Sequence, residues 1–292
     1  YLFMEPANTS LAAPGFIPRG FSQLHQDAWG IARRYPFYFF VLPAVLFFPF
    51  DFLSEWIVSV VSKDGWAAFK LEYRMAELID LLVGVFVSAV QLNVLKCIAK
   101  GDTMDVRTAL RAGFSTYFRL VQAGFLLGVR VGLRFLLLIV PGIQKGCALA
   151  MTFPVVVFEG REGDPALLRS EILMRGQKAR LFRYGLGAVL IYSAGYFGLL
   201  FFSPDSVSPL WGAFESVPWN VMGSLWTIGI CLFYADLTGD VSLSRPVGIP
   251  GCQRPEYDEI SDRPRKTSVV LAIMIALALL IAIHVFIPAA LF

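Results

Sequence analysis

Apolar stretches of about 20 residues recur along this chain, each separated from the next by a polar connection. A helix needs that length to cross ~30 Å of hydrocarbon at ~1.5 Å per residue. Membrane strands would instead leave ten-residue segments of alternating polarity. The pattern therefore predicts an all-α, polytopic transmembrane bundle. Seven spans are expected, at residues 37–61, 76–98, 120–140, 143–158, 184–202, 219–237 and 267–292. The first holds Pro43, Pro49 and Asp51 and is expected to be one kinked helix, because prolines are tolerated in membrane helices. Pro141-Gly142 is expected to reverse the chain between the third and fourth spans, and Pro154 to interrupt the fourth. The pattern divides the chain into an N-terminal segment (1–35), a six-span domain (36–238), a proline-containing linker (239–266) and a terminal seventh span (267–292).

Ahead of the first span, residues 21–34 have the spacing of a short amphipathic helix. Phe21, Leu24, Trp29, Ile31 and Ala32 supply its apolar contacts, and Trp29 suits a membrane interface. Residues 4–34 lack the compact apolar core of a cleavable signal peptide. Met4 is the expected native start, with Tyr1-Leu2-Phe3 as an appended remnant.

Charge adds an orientation. Cytoplasmic loops retain Lys and Arg while translocated loops lose them. Of the 25 basic residues, 19 fall in alternate gaps: before the first span, between two and three, between four and five, and before the last. Four (Lys63, Lys70, Arg74, Lys145) fall in the other gaps, and Arg130 and Arg134 lie inside the third span. The split predicts a cytoplasmic N-terminus and an outside C-terminus. Six spans with a membrane-surface third segment is the main competitor. A composition 57% hydrophobic and 16% charged lies outside the soluble globular range. The four cysteines are scattered without metal spacing, and three of them lie in or beside apolar segments, as small hydrophobes do.

The two large basic loops look like repeats. One reads Gly101-Asp102 … Leu110-Arg111-Ala112-Gly113 … Phe118-Arg119, the other Gly163-Asp164-Pro165 … Leu173-Met174-Arg175-Gly176 … Phe182-Arg183. Each is expected to open with a capping Asp and form an amphipathic helix. In the second, Leu167, Leu168, Ile172, Leu173 and Met174 supply the apolar face. Arg107, Arg111, Arg119, Arg169, Arg175, Lys178, Arg180 and Arg183 are placed to contact lipid phosphates.

The stretch Ile139-Val140-Pro141-Gly142-Ile143 … Phe153-Pro154-Val155-Val156-Val157, followed by Ala166-Leu167-Leu168-Arg169-Ser170 … Arg175-Gly176 … Arg180-Leu181-Phe182, carries a family resemblance. It resembles the YciC-like group of bacterial integral membrane proteins, related to the membrane domain of some glycerophosphodiester phosphodiesterases. The similarity covers about residues 101–198. It implies a bundle of about six spans in a bacterial cytoplasmic (inner) membrane and supplies no catalytic residues. The linker and seventh span depart from that pattern.

Arg130 and Arg134 are the most suggestive side chains. Four residues apart, they share one helix face, and a charge near mid-membrane demands a partner or water. Asp80 and Glu77, near the outer end of the second span, could pair with Arg134. Arg130 lies about 6 Å deeper, where Asp51 and Gln91 are its candidates. The functional interpretation is an anionic-ligand or lipid-headgroup site. The plainer ones are a structural ion pair or a third segment lying partly in the interface. Asp236 and Glu159, near inner helix ends, are weaker candidates for a proton or ion role. His25 and His284 are isolated, while Ser193-Ala194-Gly195 and Gly223-Ser224 favour close helix packing. No HExxH, GxSxG, P-loop or dinucleotide motif occurs. The expectation is a non-enzymatic membrane protein without cofactor or metal. It would organise lipid or serve as an accessory subunit, with partner subunits reached through the terminal helix and no nucleic acid. The alternative is a transporter or channel for a small or anionic solute.

Overall fold

The computed structural model describes residues 19–61, 65–200 and 209–239. They form α1 (Phe21–Arg34), α2 (Phe37–Val61), α3 (65–99), α4 (Val106–Leu137), α5 (Ile139–Glu159), α6 (Asp164–Leu173), α7 (Lys178–Leu200) and α8 (Pro209–Thr238), with no strand among the described residues. Five helices are long and apolar enough to cross a membrane: Phe37–Val61, Lys70–Ala99, Val106–Leu137, Ile139–Glu159 and Ser216–Thr238. The fifth expected span falls on α7, which is long enough but not among those five. The seventh span, the linker, the segment before residue 19, Cys252 and His284 lie outside the described residues.

The core gathers at one end of the bundle. There α8 packs along α2 and α1, α3 packs along α4, and the second half of α5 fits between them. Phe39, Leu92, Leu95, Leu120, Met151, Val155, Ile228 and Phe233 are fully buried in this cluster. Polar cross-ties hold it in register. Gln91 donates to Ser224 Oγ at 2.7 Å and to the Tyr38 carbonyl at 3.3 Å, joining α2, α3 and α8. Gln91 is thus committed here and does not serve Arg130. Asn93 donates to Thr116 Oγ1 at 3.1 Å, and Lys96 caps the Val157 carbonyl at 2.5 Å.

Proline explains where helices bend. α2 runs unbroken from Phe37 to Val61 with Pro43 and Pro49 inside it, as one distorted helix whose first five residues form a π-turn. In α5 the break falls at Ala150–Met151, and the chain restarts at Thr152. Ala150 is the residue whose carbonyl the Pro154 ring would otherwise strike, four positions on.

Three local expectations are corrected. The reversal between α4 and α5 is at Leu138, in extended conformation (φ −162°, ψ 143°), not at Pro141-Gly142. Pro141 occupies the first turn of α5, where its missing N–H is harmless. Gly142 lets the Phe135 ring close against the backbone; a Cβ there would lie 2.5 Å from the ring. The capping Asp of the first basic unit is Asp105, which accepts from the Arg107 N–H at 3.2 Å, not Asp102. Finally, the two repeat-like units do not share a conformation. Gly113 lies inside continuous α4, pressed on Val90, whereas Gly176 turns the chain with φ +74°.

Candidate functional site

Two ion-pair clusters form where the basic segments meet the bundle. The first is closed. Asp236, near the end of α8, has a side chain 0% exposed. Arg180 Nη2 donates to it at 2.6 Å, and the Arg19 backbone N–H does so at 3.1 Å. The Arg19 guanidinium lies 3.4 Å away, and Arg180 stacks over the Phe233 ring at 4.5 Å. Arg180 also donates to the Arg19 carbonyl at 2.8 Å. This network fastens the chain before α1, and the start of α7, onto α8. The role of Arg180 is therefore structural, and its guanidinium is turned inward rather than toward lipid phosphate.

α1 completes that closure. It buries Leu24, Ala28 and Ala32, a stripe at four-residue spacing, against α8. Phe21 and Trp29 stay partly exposed, at 40% and 47%. His25 sits between the rings of Phe21 (4.6 Å) and Tyr184 (5.2 Å), and burial pushes its imidazole below its ordinary value.

The second cluster is open. An open cleft of about 550 Å³ is lined by Arg130 of α4, Arg161 of the connecting loop, and Asp164, Pro165, Leu168, Arg169 and Ile172 of α6. Arg130 pairs with Asp164 at 2.8 Å. Glu159 binds Arg161 at 2.9 Å and Arg169 at 3.0 Å, and accepts from the Tyr234 hydroxyl at 3.0 Å. Three guanidiniums thus face two carboxylates, leaving one net positive charge beside an apolar floor of Pro165, Leu168 and Ile172.

The partners expected for the intramembrane charges are mostly replaced. Arg130 takes Asp164 from the following basic unit, not Asp51 or Gln91. Asp51 instead accepts from Ser216 and, at 3.5 Å, from Asn220 on α8, and it is an electrostatic neighbour of Asp80. Asp80 is consequently part of an α2–α3–α8 cluster and is not joined to Arg134. Arg134 is exposed on α4 one turn beyond Arg130. Glu77 lies on α3, and its side chain is outside the described set. Among the lipid-contact candidates, Arg107, Arg111, Arg119, Arg175 and Arg183 are exposed, Lys178 is half-buried, and Arg169 faces the cleft. Arg119 pairs with Glu162 at 3.0 Å.

The sequence does not mark Arg161, Asp164 and Glu159 as one group with Arg130. They are 29 to 34 positions from it, and only the antiparallel packing of α4 on α5 joins them. No three His, Cys, Asp or Glu among the described residues are grouped to hold a metal. No family model, curated protein or solved structure matches this chain. The YciC-like resemblance therefore rests on its sequence motifs alone.

Proposed function

We propose that this protein is a non-enzymatic membrane protein that binds anionic lipid, with the Arg130–Arg161–Arg169 cleft as its headgroup site. The observation that carries this is the charge imbalance in an open, half-apolar cleft. Guanidinium forks match phosphate oxygens bidentately, and Leu168, more than half exposed, offers an apolar wall to an acyl chain. Glu159 holds Arg161 and Arg169 beside the cleft, and the exposed Arg130–Asp164 pair can exchange its carboxylate for a headgroup phosphate. The alternate loops' basic excess supports a cytoplasmic N-terminus, and the YciC-like motifs support a bacterial inner membrane. A role as accessory subunit through residues 267–292 remains part of the same proposal.

The test is lipid retention by the purified full chain. Native mass spectrometry in mixed phosphatidylglycerol and phosphatidylcholine should show preferential phosphatidylglycerol adducts. Replacing Arg130, Arg161 and Arg169 together by Gln should remove that preference while helicity is retained. An unchanged preference would reject the cleft as the site.

A second interpretation, a transporter or channel, is favoured by the Asp51–Asp80 neighbourhood within the membrane helices. Asp51→Asn with Asp80→Asn should then abolish solute flux in reconstituted vesicles, whereas the three Arg→Gln changes should leave it intact.

A further inference from the structure

From the ion pairs along α4 and α5 we infer that these helices form a re-entrant hairpin. It enters the membrane from the side carrying loops 100–105 and 160–163 and turns back without crossing. Its partner is one leaflet: acyl chains around the 133–140 tip, and headgroup phosphates around Arg134. This stands independently of the headgroup cleft.

Lys145 is the key residue. In a seven-span arrangement it lies at the start of the fourth span, on the far side of the membrane from α6. Yet its ammonium is salt-bridged to Glu171 of α6. α6 begins directly after loop 160–163 and is pinned along α5: Ser170 Oγ donates to the Ala148 carbonyl at 3.0 Å and accepts from the Met151 N–H at 3.1 Å. On the other arm, Arg119 and Arg130 are eleven residues apart on α4, about 16 Å of helix. Both nevertheless reach the same short segment, through Glu162 and Asp164. If the hairpin crossed, it would carry Asp164, Arg169 and Glu171 into hydrocarbon with it. A hairpin entering obliquely leaves all of them at the headgroups.

The packing agrees. On α4 no residue after Ala123 is buried, so its distal half leaves the bundle. From Leu133 to Val140 the chain is exposed throughout, with Leu136 at 85% and Leu137 at 75%, and only Arg134 interrupts its apolar character. Arg130 is eight residues before the Leu138 turn, about 12 Å of helix, which fits inside one ~15 Å half of the hydrocarbon layer. Arg134 can snorkel back from there to phosphate.

Removing two crossings at once leaves the parity of every other span unchanged. It also improves the charge distribution. Lys145, Arg130 and Arg134 join the 19 basic residues of the majority side, making 22 of 25, and only Lys63, Lys70 and Arg74 remain opposite.

The test places single cysteines in the full chain, with Cys97, Cys147, Cys231 and Cys252 replaced by Ala, and reconstitutes it with uniform orientation. Arg175→Cys marks the loop side. Arg130→Cys, at headgroup level, should react with a membrane-impermeant maleimide only from that side. Leu138→Cys should resist the reagent from both sides, and a bimane on it, attached before reconstitution, should be quenched severalfold by lipids brominated on their acyl chains. Labelling of position 130 or 138 from the side opposite 175 would establish a crossing and overturn the inference. So would labelling of 138 from the loop side, failure of 130 to react, or an unquenched bimane. If a cysteine variant loses its helicity, Gly128→Cys, at a position with open space around it, replaces Arg130→Cys with the same expected side.

Discussion

Asp236 and Asp164 each bind an arginine from a distant part of the chain, at 2.6 and 2.8 Å, yet their surroundings are opposite. The Asp236 side chain is fully buried and meets Arg19 and Arg180. That of Asp164 is 70% exposed and shares an open cleft. Distance is therefore the wrong measure of what these pairs do. Removing the desolvated carboxylate leaves the Arg180 guanidinium without its counterion, although Arg19 keeps Asp27 at 3.2 Å. A solvated one exchanges readily with water or with another anion. The first region holds the fold together, and the second is available to a ligand.

The largest effect should follow from the closed region. Asp236→Ala strands Arg180, while Arg19 keeps Asp27 at 3.2 Å, and should cost about 3 kcal/mol, the lower end of the range for breaking a buried pair. Thermal unfolding in detergent should show a Tm lower by several degrees, together with loss of protection at α1. A Tm within one degree of the parent would mean that Asp236 is not the latch.

Glycines separate the same two regions by sign. Gly229 of α8 has the Tyr184 hydroxyl directly over its Cα, so Gly229→Ala should destabilise by about 1–3 kcal/mol through overpacking. Gly132, on the distal half of α4, has open space around it. Gly132→Ala should be neutral or stabilise by about 0.5–1 kcal/mol, from helix propensity alone. Chemical denaturation of both variants checks the pair; equal signs would contradict the contrast in packing.

Much of the closed region was legible in the sequence and little of the open one. α1 falls on the 21–34 amphipathic stretch because its periodicity and flanking residues are local signals. The apolar length of α2, α3, α5 and α8 is also local. The expected spans 76–98 and 219–237 lie within their helices because apolar content marks the part that lipid can cover, not the whole helix. By contrast, the first basic unit merges with the third expected span into one helix, α4. Gly113 inside it allows close approach to Val90, while the matching Gly176 turns the chain, and sequence does not distinguish these uses of glycine. Arg130 is legible as an unmatched charge, but its partner Asp164 is not. Asp51 and Gln91 are candidates for Arg130, and Asp80 and Glu77 for Arg134, only if the spans are upright neighbours, whereas Asp164 is brought in by a hairpin and a short helix folded back on it.

A smaller effect links α1 to pH. Burial holds the His25 imidazole below its ordinary value of 6.5, so the undocked segment takes up a proton more readily. Above about pH 6.5 both states are neutral and docking is unaffected. As the pH falls below that value only the undocked state gains a proton, and docking weakens. Hydrogen exchange across α1 should therefore accelerate, relative to its intrinsic rate, between pH 7 and pH 5. His25→Phe should flatten the profile; a profile unchanged by that substitution would exclude His25 as the cause.

The smallest expected change in stability lies in the open region. Arg119 and Arg130 contact neighbouring points on one segment, through half-exposed pairs worth about 0–1 kcal/mol each. Arg119→Gln and Arg130→Gln should thus leave Tm nearly equal to that of the parent. They should differ in lipid behaviour, because Arg130 lines the cleft and Arg119 does not. Only Arg130→Gln should reduce phosphatidylglycerol retention, and added salt should weaken the parent's retention, since half-exposed charges are screened. Equal losses from both substitutions would show that surface charge in general attracts lipid. A loss confined to Arg130 would show that the geometry of the cleft selects it.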